Sequence, residues 1–304
     1  MRQLIAFFVL SYSLHIQAEQ LVDLDYLPKN NEITHTLEKR PVVLVDAAHH
    51  NFHTISGRYH PFADVLKSDG YIVRSNDKKF DKANLKDIDI VVIANALSEE
   101  NIENWNLPNH SAFTRKEIEA LFHWVKGGGS LFLIADHMPW PKATADLAEI
   151  FGFHFQNGYV EVIGQQEQYF ETSDGSLADH SILKGVKDSH KLNKVRGFMG
   201  QGFLSPPNAK PVMIFSKPSI AYMPRNSFQF NENTPEISAT NWHQLSTLKF
   251  GNGRLVVSGE AGMFTAQVDS DPDGKWNMGL NAKGAEQNER LLLNIMLWLS
   301  GKIN

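Results

Sequence analysis

Three imidazoles, an amide and a carboxylate stand together in Asp46-Ala47-Ala48-His49-His50-Asn51-Phe52-His53. Such a set can bind a divalent ion or pass a proton near neutral pH, with a carboxylate fixing the orientation of a ring. Asn95, the pair Asp136-His137, and Glu260 followed by Gln267 offer the same kinds of group elsewhere. Each cluster comes after an apolar run: Pro41 to Val45, Asp89 to Ala94, Ser130 to Ala135 and Leu255 to Ser258. Short β-branched runs of this kind read as strands buried on both faces. In open α/β sheets ligands bind just beyond the carboxyl ends of the strands, so neighbouring strands would bring these groups to one crevice. Asp136, His137 and Glu260 are then expected to be the catalytic acid–base groups, and Asp46, Asn51, Asn95 and Gln267 to contact substrate. His49, His53 and His137 are the candidate ligands for a divalent metal such as zinc. The three loop histidines cannot all be ligands on so short a loop, and one or two are expected to hydrogen-bond to backbone.

The elements between the clusters alternate. Tyr59 to Ser68 has apolar residues at helical spacing with Pro61 near its start, and Asp69-Gly70 ends it before the strand Tyr71 to Arg74. Thr114-Arg115-Lys116-Glu117 predicts a capping box, after which Ile118, Leu121, Phe122 and Val125 fall on one helical face and Gly127-Gly128-Gly129 stops the helix. A last helix is expected over about Ala285 to Leu299, with Leu292, Ile295, Trp298 and Leu299 as its packed stripe. Strand and helix in alternation with short loops imply a parallel sheet with right-handed crossovers. From about 153 to 247 the periodicity breaks down, which reads as a β-rich elaboration of the same domain. Asp179-His180 reads as a turn and short apolar anchor, and the Gly127 to Gly129 run precedes a strand, the wrong order for a phosphate-cradling loop.

The first residues, Met1-Arg2-Gln3, lead into an apolar run from Leu4 to Leu14 and then to Ala18. A basic start, an apolar stretch too short to span a bilayer and a small residue at the cut site predict a secretory signal peptide over 1–18 and a periplasmic or secreted mature chain starting at Glu19. An N-terminal extension over 19–40 would precede the domain at 41–304. There is no cysteine, so disulfides, thiolate nucleophiles, lipid attachment through sulfur and cysteine metal sites are excluded. With 29 Lys+Arg against 34 Asp+Glu and no basic stripe, nucleic acid and anionic membrane surfaces are not expected partners.

The first half resembles the class I glutamine amidotransferase-like superfamily, most nearly an uncharacterised bacterial branch close to the trehalose-utilisation (ThuA-like) group. The likeness lies in Asn51-Phe52-His53-Thr54 with Gly57-Arg58-Tyr59, Asp69-Gly70-Tyr71, Ala135-Asp136-His137-Met138-Pro139, and Gly251-Asn252-Gly253-Arg254 before Gly259-Glu260. It covers about Val42 to Gly158 and Phe250 to Leu299 and leaves the middle uncovered. The resemblance implies an α/β fold with a flavodoxin-like, doubly wound, mostly parallel sheet, here carrying a β-rich insertion. Amidotransferases of the family hold a nucleophilic cysteine at the elbow that reads Ile134-Ala135-Asp136-His137 in this chain. Glutaminase chemistry by that route is therefore excluded, while a ligand crevice at Asp136 is implied.

Two readings of function follow. The first is an exported hydrolase-type enzyme, metal-assisted or not, acting on a polar small molecule or glycan fragment. The second is a non-catalytic carbohydrate- or peptide-binding module on a degenerate amidotransferase fold. A scaffolding role is the third, with no interaction motif to argue for it.

Overall fold

A computed structural model of the chain describes residues 20–35, 40–271 and 274–304. The expected signal segment and its cleavage site lie outside them. In chain order, β1 (Leu21–Val22) precedes the core strand β2 (Val42–Asp46), α1 (His60–Ser68), β3 (Ile72–Asn76), β4 (Ile90–Ala94), α2 (Arg115–Gly127), β5 (Ser130–Ile134) and α3 (Trp140–Glu149). The middle of the chain supplies β6 (His154–Phe155), β7 (Tyr159–Val162), β8 (Gln168–Glu171), α4 (Ser181–Lys184), β9 (Lys194–Gly197), β10 (Phe203–Leu204), β11 (Lys210–Ile214), β12 (Ser219–Tyr222) and β13 (Glu236–Ser238). The chain then forms β14 (His243–Phe250), β15 (Gly253–Ser258), β16 (Ala266–Asp271), β17 (Gly274–Gly279) and α5 (Asn288–Leu299).

The main sheet runs β3-β2-β4-β5-β15-β14-β10-β6, with β11 also paired to β14. Its first five strands are parallel and the rest antiparallel. Alternate residues of the apolar strands serve two cores. Val43, Val45, Val92, Phe132, Ile134 and Val256 pack with α1 and α5, while Leu44, Val91, Ile93, Leu131, Leu133 and Val257 pack with α2 and α3. This double burial is why these runs are apolar throughout. The region 153–247 extends the main sheet through β6, β10, β11 and β14, and adds the small sheets β13-β12-β7 and β8-β9.

Two local devices set the geometry near the site. Thr114 caps α2 as its sequence predicts: the hydroxyl accepts from Glu117 N at 3.4 Å, and the Glu117 carboxylate accepts from Thr114 N at 3.0 Å. At the other end, the β14–β15 turn closes onto the last turn of α2, where Asn252 N donates to Lys126 O at 3.0 Å. Only glycine fits at Gly253, since a Cβ would lie 2.0 Å from Val125 O and 2.2 Å from Gly129 O. The segment 20–35 is pinned to α5 by Glu289, which accepts from the Tyr26 hydroxyl and from Lys29 N and Asn30 N at 2.5, 2.9 and 2.7 Å. Among the described residues no helix is long and apolar enough to cross a membrane.

Candidate functional site

The carboxyl ends of β2, β4, β5 and β15 meet where expected. Asn95, just after β4, takes a left-handed backbone with φ of 48°, and its amide oxygen accepts from Asp136 N at 2.9 Å. The loop after β2 is laced to the same point, with Phe52 N donating to Asn95 O at 3.0 Å and Leu97 N to His49 O at 2.8 Å. Asp136 then reaches across to β15: its carboxylate accepts from His137 N at 2.7 Å and from Ala261 N at 3.0 Å. Glu260, at the end of β15, accepts from Phe198 N at 3.0 Å and Met263 N at 3.2 Å. Burial pushes the Glu260 carboxyl well above the usual range, and the charge of Asp136 pushes it further, so Glu260 holds its proton beyond ordinary carboxylate pH. Tyr59, at the start of α1, lies in the field of both carboxyls and donates its hydroxyl to Ala261 O at 3.2 Å.

His53 and His137 approach this pair as neutral rings. Burial pulls His53 down to about 3, helped by the charges of Arg58 and His137. Burial also lowers His137, against the opposing charge of Asp136. His137 Nδ1 donates to Met138 O at 2.8 Å, which leaves Nε2 as an acceptor, and its ring stacks on Tyr159 at 4.6 Å between centroids. Above them Phe52, Trp105, Trp140 and Phe228 close over the strand ends: Phe52 lies 5.4 Å from Trp105 and 5.1 Å from Trp140, and Phe228 lies 4.9 Å from His137. Within this enclosure Asn95 Nδ2, His53 Nδ1 and Trp140 Nε1 are buried and have no hydrogen-bond partner among the described residues. Leaving a buried donor unmade costs about 1–3 kcal/mol, so the Asn95 and Trp140 donors, with an imidazole nitrogen of His53 near them, are suited to receive polar atoms of a ligand.

Several expectations are corrected. His49 does not join His53 and His137. Its Nδ1 meets Asp46 and its Nε2 meets Glu117, each at 2.8 Å, so neither nitrogen is left for a metal. The reason is packing: the ring lies between Phe80 and Phe113, with centroids 5.3 and 4.5 Å away, on the α2 side of the sheet. Among the described residues no group of three or more histidine and acidic side chains is placed to hold a metal ion. Asp46 serves the same internal cluster, also accepting from Ala48 N and Asn76 Nδ2 at 3.3 Å each. Asn51 braces its own loop, donating to Ala94 O at 3.3 Å and accepting from His49 N at 3.1 Å. Gln267 sits on β16 in the separate sheet β1-β16-β17 and donates to Thr265 Oγ1 at 2.8 Å. His180, by contrast, is structural as its turn-and-anchor reading expects: it caps α4, accepting from Ile182 N at 3.1 Å.

Sequence reasoning missed Tyr59, Glu117 and Gln244. Glu117 was legible as a helix cap, but nothing in its spacing announces that its second oxygen reaches His49. Gln244, whose amide lies 3.5 Å from Glu260, belongs to the antiparallel neighbour β14; the Gly-rich turn at Gly251-Asn252-Gly253 marks that hairpin, but nothing marks Gln244 itself.

No protein-family model matches the chain, and no curated protein matches it in sequence. Solved structures do resemble it. The mmIFT52 N-terminal domain superimposes with a TM-score of 0.57 at 14% identity, covering 85% of this chain and 97% of that one. A ThuA-like protein from Parabacteroides merdae ATCC 43184 gives 0.46 at 14% identity, covering 88% and 92%. A GMP synthase-like protein from Thermoplasma acidophilum gives 0.44 at 9% identity, covering 87% and 96%. At these identities the likeness is one of fold, carried by the first of the three.

Proposed function

We propose that this chain is an exported acid–base enzyme of the hydrolase type, acting on a polar small molecule or glycan fragment held beyond the strand ends. The observation that carries the reading is the carboxyl pair: Glu260, kept protonated by burial and by the charge of Asp136, ends one core strand while Asp136 ends its neighbour. Carboxyls whose environments drive them apart are suited to divide the roles of acid and base. Glu260 is then the acid, Asp136 the base or the stabiliser of developing positive charge, and Asn95, His53 and Trp140 the groups that orient the substrate's oxygens. The core strand order, with β2 and β4 side by side where the order reverses, supports a flavodoxin-like sheet of the amidotransferase-like kind, in which ligands bind at that reversal. No step is assigned to a metal, because the histidines are not grouped to hold one.

The test is turnover of a panel of aryl glycosides, aryl esters and peptidyl anilides by the wild type, Asp136→Asn and Glu260→Gln. At least one substrate class is expected to react, with a loss of about a hundredfold or more in both variants while the melting profile is kept. Absence of turnover across the panel, or equal turnover by all three proteins, would sink the acid–base reading. The binding-module reading is favoured by one separate observation, the aromatic closure of Phe52, Trp105, Trp140 and Phe228 over the strand ends. It predicts ligand retention without turnover.

A further inference from the structure

Beside the strand ends the middle region builds an open cavity of about 850 Å³. Its walls come from β7, β12, the β8–β9 pair and the β16–β17 hairpin, elements outside the core sheet. Three features define its chemistry. Aromatic rings from five separate segments line it: Tyr159, Phe198, Tyr222, Phe230 and Trp276. Phe230 and Trp276 stand 49% and 43% exposed, so large apolar faces are left uncovered. Between them stand the uncharged amides of Gln165, Gln166, Gln168 and Asn277. Among the described residues of the wall the one cation, Arg196, is already engaged, with Glu167 at 3.0 Å and with its guanidinium carbon 4.8 Å from the Phe198 ring centre.

We propose that this cavity is a binding cleft for a neutral oligosaccharide. Pyranose rings present C–H faces that pack on aromatic rings and equatorial hydroxyls that both donate and accept, which is what ring faces interleaved with amides satisfy. An anionic ligand would need free cations, and Arg196 is paired with Glu167, which leaves the negative charge of Glu161 on the wall. The volume falls in the range of small-ligand clefts, and its placement in several segments suits a chain of rings better than a single one.

The cleft adjoins the carboxyl pair. A Cβ at Gly262 would lie 2.8 Å from the Glu260 carboxylate, 3.7 Å from Phe198 and 3.9 Å from Met278, and both of these side chains line the cavity. The proposal nevertheless stands on the cavity walls and does not rest on the acid–base reading.

The experiment is titration of the full chain with neutral gluco-, manno-, galacto- and chito-oligosaccharides of one to six rings, followed by tryptophan fluorescence and calorimetry. Affinity is expected to rise from one ring to two or three. It should fall about tenfold or more in Trp276→Ala and in Phe230→Ala, both surface positions whose loss leaves the melting profile in place. Turnover by Trp276→Ala and Phe230→Ala is read beside binding, so loss of turnover and loss of binding are separable. Absence of binding across all four series, unchanged affinity in both aromatic variants, or binding only of a peptide or an acidic glycan used as controls would overturn the proposal.

Discussion

Replacing His49 by leucine separates a structural cluster from a ligand site. The ring is 4% exposed and lies between two buried carboxylates at 2.8 Å each. Burial lowers its pKa, but hydrogen bonds and charge from Asp46 and Glu117 more than reverse this, and the net shift is upward from 6.5. Leucine keeps most of the volume and removes the cation, leaving Asp46 and Glu117 their bonds from Ala48, Asn76, Thr114 and Phe80 but no opposite charge between them. Breaking a buried pair in this way costs about 3–5 kcal/mol, which for a domain of this size lowers Tm by roughly 10 °C. The loss should depend on pH. A histidine raised by its fold contributes fully below about 6.5, and the contribution is lost as pH climbs through the folded-state value, so the gap between wild type and His49→Leu narrows on the alkaline side. Glu117 is lowered from 4.5, because its bonds to Thr114 and His49 outweigh burial. Its share is present above about 4.5 and lost as pH falls through its folded value. Urea unfolding followed by tryptophan fluorescence, repeated from pH 4 to pH 9, measures both limbs. A variant within about 1 kcal/mol of wild type at pH 6, or a gap that widens with alkali, would refute the cluster as a stabilising cation between two anions.

Glu260→Gln should hold or gain stability at pH 8. A carboxyl raised above 4.5 makes the folded state bind the proton more tightly, so wild-type stability falls as pH rises from 4.5 toward the folded value, while glutamine escapes that fall; urea midpoints at pH 5 and pH 8 test the sign. Glu289→Ala removes three hydrogen bonds that hold segment 20–35, at about 1–3 kcal/mol, and limited trypsin digestion should cut after Lys29 faster than in wild type. Intact mass of the exported protein should correspond to a chain starting at Glu19, and a membrane-bound species retaining Met1 to Ala18 would contradict the signal-peptide reading.

The doubly buried strands β2, β4, β5 and β15 were readable because burial on both faces leaves no room for polar residues along them. The capped helix α2 was readable because its box is local. The middle was not: β6 and β10 are two residues long, too short for any period, and what orders them is pairing across the sheet, β10 with β14 and β6 with β10. The site divides along the same line. Asn95, Asp136 and Glu260 follow from the rule about strand ends, whereas the fate of His49 was decided by Glu117 on a distant helix. Gln267 falls in another sheet because the chain, after leaving β15, turns through Gly262–Phe264.

The pairing of β5 with β15 has a consequence for how the protein is made. Arg254 lies beside Ser130 and Ser258 beside Ile134, so the inner edge of β5 is covered only when nearly the whole chain has emerged. Until then a fully apolar strand presents its open hydrogen-bonding edge, the kind of template on which chains pair with one another. Contacts so remote along the chain also slow the search for the native arrangement. The molecule therefore depends on its last third to protect a strand of its middle third, and a fragment ending after α3 would be a nucleus for aggregation rather than a working half.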